Sequence, residues 1–256
     1  MRIYDIFLYN GERDMLEFRI KELSPYVYKF IIAESNFTFS GQYKNLSFPN
    51  DMFKYKEYNI DYVVIDKKDN KFNTAWDYEH YTRIYLGNYI KDIVNDDDIL
   101  MLSDVDEIPD FRDEYLMFKI KNMNNTSSFS LAMLFFYYNF NWINQNLWPG
   151  IVFFKKSLLL NKNLEYIRSS RSFQEMIKNG YHLSYFFSPE GIVEKINAFS
   201  HQEYNHDKYK IIDEIQYKID NGLDLFSRQN EKWILYTGNY FPKNYDLMPE
   251  FMKKTK

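Results

Sequence analysis

Ile99-Leu100-Met101-Leu102-Ser103-Asp104-Val105-Asp106-Glu107-Ile108-Pro109 is the stretch on which the fold turns. Its four consecutive apolar residues read as a short buried strand. The strand hands over to three carboxylates within four residues, and Pro109 closes the turn. Carboxylates that close repel one another unless a cation offsets them. Residues two apart in an extended segment point the same way, so Asp104 and Asp106 are expected to share one side. Mg²⁺ or Mn²⁺ takes oxygen ligands and suits that pair, with diphosphate oxygens filling the remaining positions. Such an ion stabilises a leaving nucleoside diphosphate as a Lewis acid. An isolated Asp-x-Asp is a weak signal, because the same residues also suit a solvated turn capping the next helix.

Working outward, Ile3–Leu8 reads as a strand and Glu12–Leu23 as a helix with Met15, Leu16, Phe18, Ile20 and Leu23 on its apolar face. Tyr28–Ala33 is a nearly unbroken apolar run, as in a buried parallel strand. Glu34–Lys44 is a polar loop, Tyr62–Ile65 a strand and Ala75–Val94 a helix. After the acidic motif come a helix over Phe111–Lys121 and strands over Ser128–Phe136 and Ile151–Phe154. This alternation predicts an α/β fold with a mainly parallel central sheet and helices on both faces. Ligands of such sheets bind beyond the C-terminal strand ends, where Glu34 and Asp104 fall.

The chain has 256 residues, enough for one large α/β domain, and shows no internal repeat or linker. Its formal net charge of −4 with no basic stripe argues against nucleic-acid binding. An acidic protein that handles a diphosphate needs local cations or a metal. The absence of cysteine removes disulfides, thiolate metal sites and Cys nucleophiles. No apolar run approaches the roughly 18 residues of a membrane span, and residues 1–10 show no signal pattern, so a soluble, cytoplasmic protein is expected. The aromatic share of 20% suits sugar faces, although drift toward Tyr, Phe, Asn, Lys and Ile accounts for much of it.

Several stretches in order resemble glycosyltransferase family 17. They are Tyr4-Asp5-Ile6-Phe7-Leu8-Tyr9-Asn10 with Glu12, then Phe30-Ile31-Ile32-Ala33-Glu34-Ser35-Asn36, then Trp76, Glu79 and Arg83. The Ser103–Pro109 motif follows, then Tyr181-His182-Leu183-Ser184-Tyr185-Phe186, Lys195 and Phe199-Ser200-His201-Gln202-Glu203-Tyr204. The resemblance implies a GT-A-like fold over residues 1–256 as a single domain, with 1–110 binding the nucleotide sugar and 111–256 the acceptor. It also implies a UDP-sugar donor, with GlcNAc as the expected sugar, a glycan acceptor and an inverting reaction. The chain departs from the family in having Tyr181 where Trp is common and in its 256 residues carrying no cysteine, and the membrane anchor and stem of Golgi members are not expected of it.

Against that background, Asp104, Asp106 and His201 are expected to hold the metal, with His182 as the alternative ligand or a contact to phosphate or acceptor. Glu34, Lys44, Arg83, Asp104, His182 and Lys195 are expected around the donor, Arg83 being oriented by Glu79. Arg168 and Arg171 compete with Lys195 for the diphosphate. Inverting transfer needs a carboxylate base. Glu107, beside the motif, and Glu175, read as lying in a loop before His182, lead Glu190 and Glu203 for that role. Asp106 serves catalysis through the metal and makes a poor base. Tyr137, Tyr138, Trp142 and Trp148 are candidate stacking platforms for acceptor sugars. A catalytically idle glycan-binding protein with the same fold is the competing expectation. A phosphotransferase would call for a Gly-rich phosphate loop, which a chain with 8 Gly and no cluster lacks.

Overall fold

In a computed structural model, residues 1–66, 72–173 and 175–255 are described. The elements are β1 (Ile3–Tyr9), α1 (Arg13–Leu23), β2 (Lys29–Ser35), α2 (Phe48–Asp51), β3 (Ile60–Ile65), α3 (Ala75–Ile93), β4 (Ile99–Asp104), β5 (Glu107–Ile108) and α4 (Glu114–Lys121). They continue with β6 (Ser128–Tyr137), β7 (Asn139–Asn144), β8 (Trp148–Lys155), α5 (Lys156–Asn161), α6 (Leu164–Ser169), β9 (Glu175–Ser184), α7 (Pro189–Ala198), α8 (Ile212–Asn221) and β10 (Trp233–Leu235).

The apolar runs pair as their composition predicts. β3, β2, β1 and β4 lie side by side and parallel. Alternate side chains along β1 go to opposite faces. Phe7 and Tyr9 join one core with Met15 and Leu16 of α1 and Leu116 and Ile120 of α4. Tyr4 and Ile6 join another with Leu86 and Ile90 of α3 and Leu164 and Ile167 of α6. The sheet is thus covered by helices on both faces, as expected of an α/β, GT-A-like architecture. Its second half differs from a simple parallel extension. β8 pairs antiparallel to β4 and β6, and β7 and β10 continue antiparallel to the edge. β9 returns parallel to β6 and antiparallel to the short β5. The complete sheet is mixed.

Local chemistry sets several boundaries. Thr74 and Asp77 form a reciprocal capping box that starts α3. Asp113 caps the N–H groups of Tyr115 and Leu116, so α4 begins three residues after the predicted Phe111. From β1 the chain first builds toward β2 and β3, and then α3 carries it back to place β4 on β1's other side. That reversal opens a crevice at the C-terminal ends of β1 and β4. A third cluster, with Ile192 and Ile196 of α7, Ile215 of α8, Phe226 and Trp233, forms a lobe beyond those ends.

Candidate active site

A cavity of about 440 Å³ occupies the crevice, with Asn10 after β1 and Asp104 at the end of β4 on its wall. The acidic turn is presented there by a buried guanidinium. Arg19 of α1 binds both carboxylate oxygens of Asp5 at 2.8 and 2.6 Å and the Ser103 hydroxyl at 2.6 Å. It also donates to the carbonyls of Asp104, Val105 and Glu107 at 3.2, 3.2 and 2.6 Å. With these carbonyls drawn toward α1, the Asp104 and Asp106 side chains face the cavity. Residues 105–106 form a turn, so the two aspartates share the cavity without the extended geometry expected for them.

The two carboxylates meet different cations. Asp104 accepts from Arg168 at 2.6 Å and lies 3.5 Å from Arg83. Burial opposes its ionisation, yet the Arg168 and Arg83 guanidiniums hold its carboxyl below the usual range. Asp106 accepts from Lys195 at 3.2 Å and lies 3.7 Å from His182 Nδ1. The Asp106 and Glu12 carboxylates keep the Lys195 ammonium protonated against the effect of burial. His182 stacks on Trp148 at 4.5 Å, and its buried Nδ1 has no hydrogen-bond partner. Burial pushes the imidazole below its ordinary value, so it is neutral at pH 7. Arg83 is oriented by Glu79 at 2.5 Å, as expected, and also by Glu165 at 3.0 Å.

Several expected site residues have other partners. Glu107 is fully buried and does not line the cavity. Its oxygens accept from Trp148 Nε1 at 2.8 Å, from Arg168 at 2.6 and 2.9 Å and from the Asp104 N–H at 3.2 Å. With both oxygens committed it positions Arg168 and Trp148, and the arrangement does not support it as the base. Glu175 is not in a loop; it begins β9, at the opposite end from His182, and its exposed side chain pairs with Lys119 at 2.7 Å. Its place outside the cavity corrects the assignment of a base role. Glu34 is fully buried and accepts from Lys44, the Ser47 and Phe48 N–H groups and the Tyr62 hydroxyl. It ties down the loop after β2, and neither it nor Lys44 lines the main cavity. His201 lines the cavity, but its Nδ1 is 2.6 Å from Glu203 and its ring stands edge-on to Trp76. Among the described residues, His201 makes no contact within 4.0 Å with Asp104 or Asp106.

Among the candidate platforms, Trp148 and Tyr137 line the cavity, while Tyr138 and Trp142 do not. The Tyr138 and Trp142 polar atoms donate to the carbonyls of Leu223 and Ile219. Arg168 and Arg171, read in sequence as loop residues, lie on α6 and the helical turn after it. Arg171 donates to the carbonyls of Pro149 at 2.7 Å and Arg168 at 3.1 Å. Glu12 and Glu165 also line the cavity. The sequence marked Glu12 only as part of a motif and gave no signal for Glu165.

A divalent ion fits this donor set in part. Asp104 and Asp106 face the cavity, and an unpartnered buried imidazole nitrogen faces Asp106. Oxygen donors with one nitrogen suit Mn²⁺ or Mg²⁺ completed by phosphate oxygens. Among the described residues no group of three or more His, Asp or Glu side chains is placed to hold a metal ion by itself.

The family profile of glycosyltransferase family 17 matches residues 1–237. The human β-1,4-mannosyl-glycoprotein 4-β-N-acetylglucosaminyltransferase is 31% identical over 149 residues, which are 55% of this chain and 28% of that protein. The rat protein of the same name is 31% identical over 149 residues, 55% of this chain and 27% of that protein. A mannose-6-phosphate isomerase structure from Helicobacter pylori is 11% identical and covers 63% of this chain and 73% of that one at a TM-score of 0.40, too slight a likeness to carry an argument. With the profile extending over nearly the whole length, the chain belongs to glycosyltransferase family 17.

Proposed function

We propose that the chain is a metal-assisted, inverting glycosyltransferase that moves a sugar, with GlcNAc expected, from a UDP-sugar to a hydroxyl of a glycan. The observation that carries this reading is the sorting of charge in the crevice. Asp104 at the end of β4 and Asp106 in the turn after it share the cavity wall with Lys195, Arg83, Arg168 and Arg171. A diphosphate needs both features, cations for its oxygens and carboxylates for the ion it brings. The relatives named as N-acetylglucosaminyltransferases supply the expected sugar.

Each residue has a task in this scheme. Arg171 and Lys195 take phosphate oxygens. Asp104 and Asp106 would hold Mn²⁺ or Mg²⁺, with diphosphate oxygens completing its coordination. When bound, the ion supplies Lewis-acid stabilisation of the leaving diphosphate. Glu107 holds Arg168 and Trp148 in place, and Glu79 holds Arg83.

The test is a panel of nucleotide sugars assayed for UDP release and transfer, with Mn²⁺ and then with EDTA. The expected result is turnover from UDP-GlcNAc that falls on the order of 100-fold on chelation, as for loss of a principal electrostatic stabiliser. Turnover unchanged by EDTA would sink the metal role. Glycan binding with no turnover from any donor would favour an idle binding protein.

A further inference from the structure

Five carboxylate residues line the main cavity: Glu12, Glu79, Asp104, Asp106 and Glu165. Four are already committed to cations. Glu79 and Glu165 hold Arg83 at 2.5 and 3.0 Å, Asp104 holds Arg168 at 2.6 Å, and Asp106 meets Lys195 at 3.2 Å. A carboxylate held by a guanidinium or assigned to a metal accepts a proton poorly, because its charge is already stabilised. Glu12 differs. It lies in the short connection between β1 and α1, just before Arg13, and its Oε2 accepts the Asn10 N–H at 2.7 Å. Among the described residues no Lys, Arg or His nitrogen lies within 4.0 Å of its carboxylate.

Its position adds a second argument. Glu12 and Lys195 line both the main cavity and a neighbouring cleft of about 460 Å³. That cleft is lined by Thr38, Gln42, Ser188 and Asn197, by the aromatic residues Phe187 and Phe251, and by the charged residues Arg13, Asp14, Lys44 and Glu194. Hydroxyls and amides with a few apolar rings suit a saccharide, whose rim is polar and whose faces are not. A diphosphate drawn to Arg171, which lines only the main cavity, leaves this neighbouring cleft for the second substrate, with Glu12 lining both.

Resting on the glycosyltransferase reading, we infer that Glu12 is the general base, facing an acceptor sugar bound in the cleft lined by Gln42, Asn197 and Phe187. The acceptor hydroxyl oxygen attacks the anomeric carbon of the donor sugar and forms the new C–O bond. The bond from that carbon to the β-phosphate oxygen breaks, and its electron pair leaves on the diphosphate. The hydroxyl proton passes to the Glu12 carboxylate. Loss of solvent raises the Glu12 carboxyl above its ordinary value, with Lys195 and the Asn10 N–H opposing. A base nearer neutrality takes a proton more readily than an ordinary carboxylate does.

Glu12→Gln tests this, since the amide oxygen can still accept the Asn10 N–H but cannot take up a proton. Wild type and variant are compared with UDP-GlcNAc, Mn²⁺ and a β-mannosyl glycopeptide as probe acceptor. UDP affinity is measured by calorimetry, and Tm is measured alongside. The expected outcome is a kcat lower by about 10² to 10⁴-fold, the usual worth of a general base, with UDP affinity, donor KM and Tm unchanged. A variant that keeps more than about a tenth of the wild-type kcat overturns the assignment, and so does one whose UDP affinity falls in parallel. Should Glu12→Gln fail to fold, Glu12→Asp decides. A displaced base predicts a kcat down by roughly 10²-fold with donor KM held, and a wild-type kcat overturns it. Wild-type protein inert with every nucleotide sugar would instead remove the transferase reading, and this inference with it.

Discussion

Arg171 brings a guanidinium to the cavity wall with two backbone carbonyls as its hydrogen-bond partners. Among the described residues it has no carboxylate within 4.0 Å, whereas Arg83 and Arg168 have several. Burial, followed by the repulsion of Arg168, lowers its pKa. A cation in that position gains by meeting an anion. Arg171→Met is expected to weaken UDP binding about tenfold or more, the worth of one charge-assisted hydrogen bond. Uridine, which has no phosphate, should bind the variant and the wild type alike. Calorimetry with both ligands decides, and equal losses for the two would place Arg171 away from the diphosphate. Glu34 makes the contrasting case. It sits at a strand end where ligands bind, yet two N–H groups, a hydroxyl and Lys44 consume its acceptors. A strand-end position shows where a carboxylate is, and only its neighbours show whether it is free.

At the scale of elements, the legible half of the fold was the half written in apolar runs. β1, β2 and β4 and the helices α1 and α3 announce themselves because each buries a continuous apolar run or stripe. β7, Asn139–Asn144, alternates amides with rings, so its strand character depends on the neighbours β6 and β10. Glu175 looked like loop because Lys178, Asn179 and Gly180 follow it. Its segment becomes strand through pairing with β6, which no local signal encodes. The site divides the same way. The acidic turn was visible as an anomaly after an apolar strand, while Arg168 meets Asp104 across 64 residues of sequence and Glu107 across 61. The turn after β5 carries its own prediction. Asp110 is held by Arg112 at 2.7 and 2.6 Å and by the Tyr240 hydroxyl. Burial opposes its ionisation, but these donors keep its pKa below the usual carboxylate value. A depressed carboxyl contributes stability that is present above its unfolded value, about pH 4, and is lost as pH falls through its folded value. Asp110→Asn is therefore expected to destabilise the protein at pH 7, with the gap to wild type closing below about pH 4. Urea denaturation at a series of pH values measures it, and a gap that widens in acid would contradict the assignment.

For the molecule as a whole, the segment after β10 shows how much of the core is assembled from far along the chain. The family profile ends at residue 237, yet Met248 and Met252 beyond it are buried in the main core. Glu22 of α1 accepts from the N–H groups of Lys243 and Asn244 at 2.8 and 2.7 Å. A chain ended at Gly238 is expected to lose about 3 to 6 kcal/mol from the two methionines alone, as read by chemical denaturation. Unchanged stability would mean that the segment only covers the surface. Arg19 concentrates the same dependence at one atom group. Its partners lie 14 residues away in β1 and 84 to 88 residues away in the acidic turn. The turn's carbonyls find their donor only after β1, α1 and β4 have come together, and the loop that must close is a long one. The acidic turn is therefore expected to complete late in folding and to open only when the global fold opens, which hydrogen exchange of its amides would read. The placing of Asp104 and Asp106 on the cavity wall consequently depends on Asp5 and Arg19 as well, although neither of those residues lines the cavity.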